Sequence, residues 1–182
     1  MAVKPRLWTL GFILDTLVNF LIYIIYYMLV VIIASEAISS LNATVSEAGL
    51  AAGIFVLGTL AARLAAGRSV EIYGRKKMLY GGILFYLVTT CMYFAVDSLP
   101  LMYGVRFLNG IGYGIASTAT STIVSAMIPE ERRGEGINYY ALSMSLAAAI
   151  GPFLGMIMQQ FFSFCIIIMF CVAVVLACLA AA

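Results

Sequence analysis

The chain contains no histidine, and its four cysteines, Cys91, Cys165, Cys171 and Cys178, include no C-x-x-C pair. The usual ligands of a zinc or haem site are therefore missing, and no metal or cofactor is expected. The common catalytic triads lose their imidazole, which leaves a membrane hydrolase only unusual pairs such as Ser-Lys. All four cysteines fall in apolar runs and read as free structural thiols. Charge is also scarce: 10% of residues carry it and the net charge is +2, so no nucleic-acid partner is expected. Alternating ten-residue segments are absent too, which excludes a membrane β-barrel.

What the chain has instead is apolar length. Hydrophobic residues make up 64% of it, in runs of roughly 20 residues or more, the length that crosses a bilayer as a helix. Because an unpaired backbone group costs several kcal/mol in hydrocarbon, the fold class is all-α and integral to the membrane. Polar interruptions divide the chain into six spans, near Leu7–Ile33, Glu47–Ala66, Lys77–Val96, Leu99–Met127, Gly136–Gln159 and Phe162–Leu179. The first span has no small-residue cleavage site and continues past Tyr23, Tyr26 and Tyr27, so it reads as a retained span. Membrane lipid is its first partner.

The basic residues set orientation. Lys4 and Arg6 precede span 1; Arg68, Arg75, Lys76 and Lys77 lie between spans 2 and 3; Arg132 and Arg133 lie between spans 4 and 5. All belong to one side, while Glu36, Glu47 and Asp97 mark the other, so both termini are expected in the cytoplasm. On the outer side, Asn42-Ala43-Thr44 fits a glycosylation triplet and reads as a polar loop cluster.

Four constellations interrupt the apolar pattern. Between spans 2 and 3, Gly67, Glu71, Gly74, Arg75, Lys76 and Lys77 follow G-x-x-x-E-x-x-G-R-K-K. Gly67 permits close helix approach, and the charges can form a cluster that locks one conformation, with Glu130 and Glu131 as acidic partners; the alternative is that the basic residues only set topology. In span 4, Arg106, Asn109, Tyr113, Ser117 and Thr120 recur at helical spacing, with Gly110 and Gly114 beside them for close approach of a helix or ligand. Arg106 lies about 10 Å inside the outer boundary at 1.5 Å per residue, and either faces protein or water or snorkels outward. Span 5 carries Ala147, Gly151, Pro152 and Gly155, a kink beside a small-residue groove. In span 1, Asp15, Asn19, Tyr23, Tyr26 and Tyr27 form a polar and aromatic face. Asp15 is a candidate proton or cation site, or else an inner-interface residue; it lies roughly 12 Å from the inner end of span 1 while Arg106 is near the outer end of span 4, so no direct pair is expected.

The loop resembles the signature loop of the major facilitator superfamily, with Glu71 at the usual aspartate position and Ile72 where a basic residue is common. The string from Arg106 to Gly112 resembles that family's R-x-x-Q-G-x-G motif, with Asn109 in place of glutamine. Ala147 to Gly155 resembles its export-branch motif G-x-x-x-G-P-x-x-G-G, departing at Ala147 and Met156. The family's proline pattern at the end of helix 1 is absent, where Val31-Ile32-Ile33-Ala34 stands.

This resemblance implies an N-terminal six-helix half of a twelve-helix fold, with residues 1–96 and 97–182 as two inverted three-helix repeats and a second six-helix bundle as partner. It implies a proton-coupled exporter of small organic molecules in a bacterial plasma membrane. Asp15 and Arg106 are then the proton-coupling candidates, and Asn19, Tyr23, Tyr26, Tyr27, Asn109, Tyr113 and Ser117 the substrate-cavity candidates. Family helices 2 and 5 contact the opposite bundle, which assigns that contact to Gly58, Ala62 and Ala66 and to Ala147, Gly151 and Gly155. The alternative is a non-transporting membrane scaffold with the same bundle fold.

Overall fold

A computed structural model describes residues 6–182, apart from the side chains of 68–71. Lys4 and the side chains of Arg68 and Glu71 thus lie outside the described residues. The chain forms α1 (Leu10–Leu41), α2 (Val45–Tyr73), α3 (Arg75–Cys91), α4 (Leu99–Met127), α5 (Arg133–Phe161) and α6 (Phe164–Ala181). Short 3-10 turns at Met92–Ala95 and Glu130–Arg132 follow α3 and precede α5.

Local chemistry sets the helix ends. Thr9 caps α1 by accepting from Phe12 N–H at 3.2 Å. At its other end Asn42 adopts φ 52°, and Ala43 N–H reaches back to the Ala37 carbonyl at 2.9 Å, a left-handed stop for which asparagine is suited. Thr44 and Glu47 then form a reciprocal capping box: Thr44 N–H donates to Glu47 Oε2 at 2.8 Å and Glu47 N–H to Thr44 Oγ1 at 3.3 Å. Asn42 and Thr44 thus have structural work in the connection. Gly74, at φ 84°, turns the chain from α2 into α3, a backbone state that favours glycine.

Helix α4 is central, packed between α2 and α3 and also touching α1, while α5 lies along α1 and α6 against α1 and α3. The crossings need small residues. A Cβ on Gly112 would lie 2.7 Å from Tyr86 N of α3, and one on Gly114 would lie 2.7 Å from Ala62 Cβ of α2. Gly58 and Gly110 meet the Phe107 and Phe55 carbonyls in the same α2–α4 crossing. On the other side of the bundle, a Cβ on Gly151 would lie 2.7 Å from Tyr27 Cβ, and one on Gly155 3.1 Å from the Met28 carbonyl.

Two expectations change. The tracts Gly58–Ala62–Ala66 and Ala147–Gly151–Gly155, which the resemblance assigns to a second bundle, are used inside this chain: they let α2 close on α4 and α5 close on α1. Backbone contact inside the bundle leaves no groove on those faces for a partner. Second, among the described residues five helices, not six, are long and apolar enough to cross a membrane by composition: Leu10–Leu41, Val45–Gly67, Arg75–Ala95, Glu130–Phe161 and Phe164–Ala181. The sixth, α4, has 29 residues, but its arginine, asparagine, hydroxyls and glycines lower its hydropathy. Its neighbours rather than lipid cover much of it, so it needs less apolar surface.

Gly11 of α1, Lys76 of α3, Met127 of α4 and Ala182 after α6 line one small cavity. The starts of α1 and α3 and the ends of α4 and α6 therefore share one end of the bundle, here called the basic end.

Candidate functional site

The wall of a cavity is built from three helices by aromatic packing. Tyr26 of α1 stacks on Phe55 of α2 with centroids 4.9 Å apart and lies 5.1 Å from Tyr113 of α4. Tyr23 reaches Tyr113 at 5.4 Å, and Tyr27 reaches Tyr26 at 4.7 Å. With Thr59 and Arg63 of α2 and Met144 of α5, these rings surround a cavity of about 280 Å³. Arg63, Tyr23 and Met144 also line an adjoining cavity of about 420 Å³ with Ser117, Thr118, Ser121 and Tyr140. Rings spaced this way, with hydroxyls at their rims, suit a small organic molecule.

Not every residue of the polar faces reaches that cavity. Asn109 is fully buried and turns to α3, donating from its amide to Thr89 Oγ1 and Thr90 Oγ1, each at 3.1 Å. It fastens two helices and does not line either chamber. Asn19 is buried and accepts from Thr120 Oγ1 at 3.1 Å, while that hydroxyl also lies 3.1 Å from Tyr140 OH. The chain Asn19–Thr120–Tyr140 ties α1, α4 and α5 together. Of the two asparagines and five other cavity candidates, Tyr23, Tyr26, Tyr27, Tyr113 and Ser117 line the chambers.

Arg106 is wholly buried. Its Nε donates to the Ala51 carbonyl at 3.3 Å, Nη2 to the Ala52 carbonyl at 3.4 Å and Nη1 to Tyr93 OH at 3.4 Å, and its guanidinium carbon lies 4.5 Å from the Phe55 centroid. Placing arginine at the centre of a membrane helix costs about 2.5–3.5 kcal/mol on insertion scales; three acceptors and a ring face offset that here. The guanidinium faces protein rather than the outer interface, and no carboxylate pairs with it among the described residues.

Asp15 lies elsewhere, at the basic end. It is 7% exposed, its Oδ2 is buried without a hydrogen-bond partner, and it shares a cavity of about 130 Å³ with Lys76 and Ile123. An intramembrane carboxylate left without a donor gains from binding a proton or a cation. Arg106 does not line that cavity, and its hydrogen bonds go to Ala51, Ala52 and Tyr93 instead.

At the same end, Gly67, Gly74, Arg75, Lys76 and Lys77 line a cavity of about 860 Å³ with Thr118 and Thr122. A Cβ on Gly67 would meet nothing within 4 Å, so this glycine does not serve a helix approach within the chain. Glu130 and Glu131 are exposed and make no ion pair with Arg75 or Lys76 among the described residues. The carboxylate engaged here is that of Glu135, which pairs with Arg132 at 2.7 Å. Glu71 belongs to the undescribed side chains.

Arg63, Thr59 and Tyr140 are chamber residues that the motifs miss. Arg63 stands inside span 2, and a charge inside an apolar run is the signal that marks it. Its position four residues before Gly67 makes it look like part of the loop.

A bundle of membrane-length helices around an aromatic and polar cavity defines the class: a polytopic membrane protein. The chain belongs to the Major Facilitator Superfamily, whose family model matches residues 16–182. It is similar to an uncharacterised MFS-type transporter of Methanocaldococcus jannaschii, 31% identical over 72% of this chain and 34% of the relative. It is 33% identical to a hexose transporter of Saccharomyces cerevisiae over 57% of this chain and 19% of that protein. It is also 24% identical to multidrug resistance protein 3 of Bacillus subtilis, over 58% of this chain and 21% of that protein. The chain thus spans about a third or less of the relatives' lengths.

Proposed function

We propose that this chain is the N-terminal half of a proton-coupled transporter that exports small organic molecules from the cell, its cavity completed by a second six-helix bundle. Residues 1–96 and 97–182 act as inverted repeats, both termini face the cytoplasm, and the two halves rock around the cavity. The observation that carries this reading is the aromatic and hydroxyl-lined double chamber between Tyr26, Tyr113 and Tyr140, joined in one bundle with a buried, unpartnered Asp15.

In this scheme substrate contacts Tyr23, Tyr26, Tyr27, Tyr113 and Ser117. Asp15 takes up a proton in one access state and releases it in the other, because its solvation changes as the basic end opens and closes. Arg106 holds α4 to α2 and couples the cavity wall to that movement. Gly74, Arg75 and Lys76, with Glu71, Glu130 and Glu131, set the balance between access states, and Pro152 bends α5 beside α1. Export is favoured by the span 5 motif and by likeness to a protein named for multidrug resistance. The test is transport by the full-length protein in liposomes under an imposed pH gradient: the reading expects movement of substrate against its gradient, dependent on Asp15. Transport that ignores the pH gradient contradicts proton coupling.

A further inference from the structure

The two chambers differ in chemistry and meet at one cation. The smaller is walled by Tyr23, Tyr26, Tyr27, Phe55 and Tyr113, the larger by Ser117, Thr118, Ser121 and Tyr140, and Arg63 lines both. Arg106, the other arginine within the spans, is engaged by two carbonyls, a hydroxyl and the Phe55 ring. Arg63 is exposed to the chambers and makes no hydrogen bond or ion pair among the described residues. No carboxylate lines either chamber among the described residues; Asp15 belongs to another cavity.

A guanidinium inside a membrane span needs an anion or a set of acceptors. Its planar fork matches a carboxylate in a two-bond arrangement, and phenolic hydroxyls such as that of Tyr23, which lines both chambers, add donors that carboxylate oxygens can accept from. The ring-walled chamber beside it, about 280 Å³, accommodates an aromatic body. A cationic ligand finds the reverse: a fixed positive charge and no acid. We propose that Arg63 is the anchor of a binding subsite for organic anions that carry an aromatic ring, the ring held by Tyr26, Phe55 and Tyr113 and the anionic group by Arg63. This rests on the reading of the chambers as the transport cavity and names the substrate class for it. A carboxylate contributed by the second bundle is the rival occupant, and it predicts a different result.

The experiment measures equilibrium binding to the full-length protein in lipid nanodiscs, with no pH gradient. Three probes share a ring and differ in charge: 1-naphthoate, neutral 1-naphthamide and cationic 1-naphthylmethylammonium. Naphthoate is expected to bind at least about tenfold more tightly than either other probe, the scale of one charge-assisted hydrogen-bonded pair. Arg63→Gln is expected to abolish that preference while naphthamide binding stays within about twofold; Arg63→Lys keeps part of it. Equal affinity for the three probes, no binding of any, or an equal loss for all three in Arg63→Gln overturns the proposal, the last being the outcome if Arg63 pairs with the second bundle. Tyr113→Ala separates the two readings. If it weakens naphthamide binding while naphthoate shows no preference, the cavity stands and the anion subsite falls; if it changes no probe's binding, the cavity reading itself falls.

Discussion

The guanidinium of Arg106 on α4 lies over the ring of Phe55 on α2, 4.5 Å from its centroid, while the same ring stacks on Tyr26 of the cavity wall at 4.9 Å. One phenyl group therefore links a buried cation to the wall of the aromatic cavity. Arg106→Ala is expected to abolish proton-driven export by the full-length protein while it still inserts and folds, because the substitution takes a buried charge out of a membrane span even as Tyr93 OH loses its partner. Arg106→Lys retains charge but loses the fork that spans Ala51, Ala52 and Tyr93, so its transport is expected to fall at least about tenfold. Proton-driven flux equal to wild type in either variant removes Arg106 from the coupling.

Asp15→Asn tests the proton site. The amide is nearly isosteric, and the carboxylate oxygen it replaces accepts no hydrogen bond, so stability is expected to change little. The transport rate measured across external pH should lose its dependence on protonation of this residue and become flat. A pH profile that keeps its wild-type shape assigns Asp15 to the inner interface instead.

Glycine substitutions test the packing. A Cβ on Gly112 would lie 2.7 Å from Tyr86 N and 2.8 Å from Tyr86 Cα, and backbone can yield only by separating α3 from α4. Gly112→Ala is expected to destabilise the bundle by about 1–3 kcal/mol, the range for overpacking. Gly53→Ala, where a Cβ meets nothing within 4 Å, serves as the control and should be neutral or stabilising by up to about 1 kcal/mol, since alanine favours helix. Denaturation in detergent compares them; equal stability of the two variants contradicts the α3–α4 crossing.

The α4 stripe shows what a sequence can and cannot say about such a bundle. Helical spacing groups Arg106, Asn109, Tyr113, Ser117 and Thr120 as one polar face, and all five are buried or nearly so. Spacing does not say which neighbour each meets, and α4 has neighbours on most sides: Arg106 goes to α2, Asn109 to α3, Thr120 to α1 and α5, while Tyr113 and Ser117 reach the chambers. The order of spans was legible from apolar length, although α1 runs to Leu41, beyond the apolar run, because Glu36 and Ser39 are compatible with helix outside hydrocarbon. The small-residue tracts were legible as contact surfaces, but a glycine face does not encode whether its partner lies in the same chain. Arg63 was hidden by its nearness to a basic loop.

The basic-end loop acts on conformation in this account. Gly74→Ala forces a side chain into the φ 84° turn, and Arg75→Ala removes a cation from the cavity it lines. Both are expected to slow transport while leaving substrate affinity largely intact, as a change in the balance of access states would. Site-directed accessibility labelling reports that balance. A large loss of affinity with unchanged accessibility contradicts the assignment.

The most direct test of the central claim is reconstitution of residues 1–182 alone and, in parallel, together with a second six-helix bundle, in liposomes under a pH gradient, with accumulation of aromatic organic solutes as readout. The account predicts no concentrative transport by residues 1–182 alone and its appearance when the second bundle is supplied, because one half cannot seal the chambers alternately to the two sides. Gradient-driven accumulation by the single chain, at a dilution that excludes dimers, would contradict it.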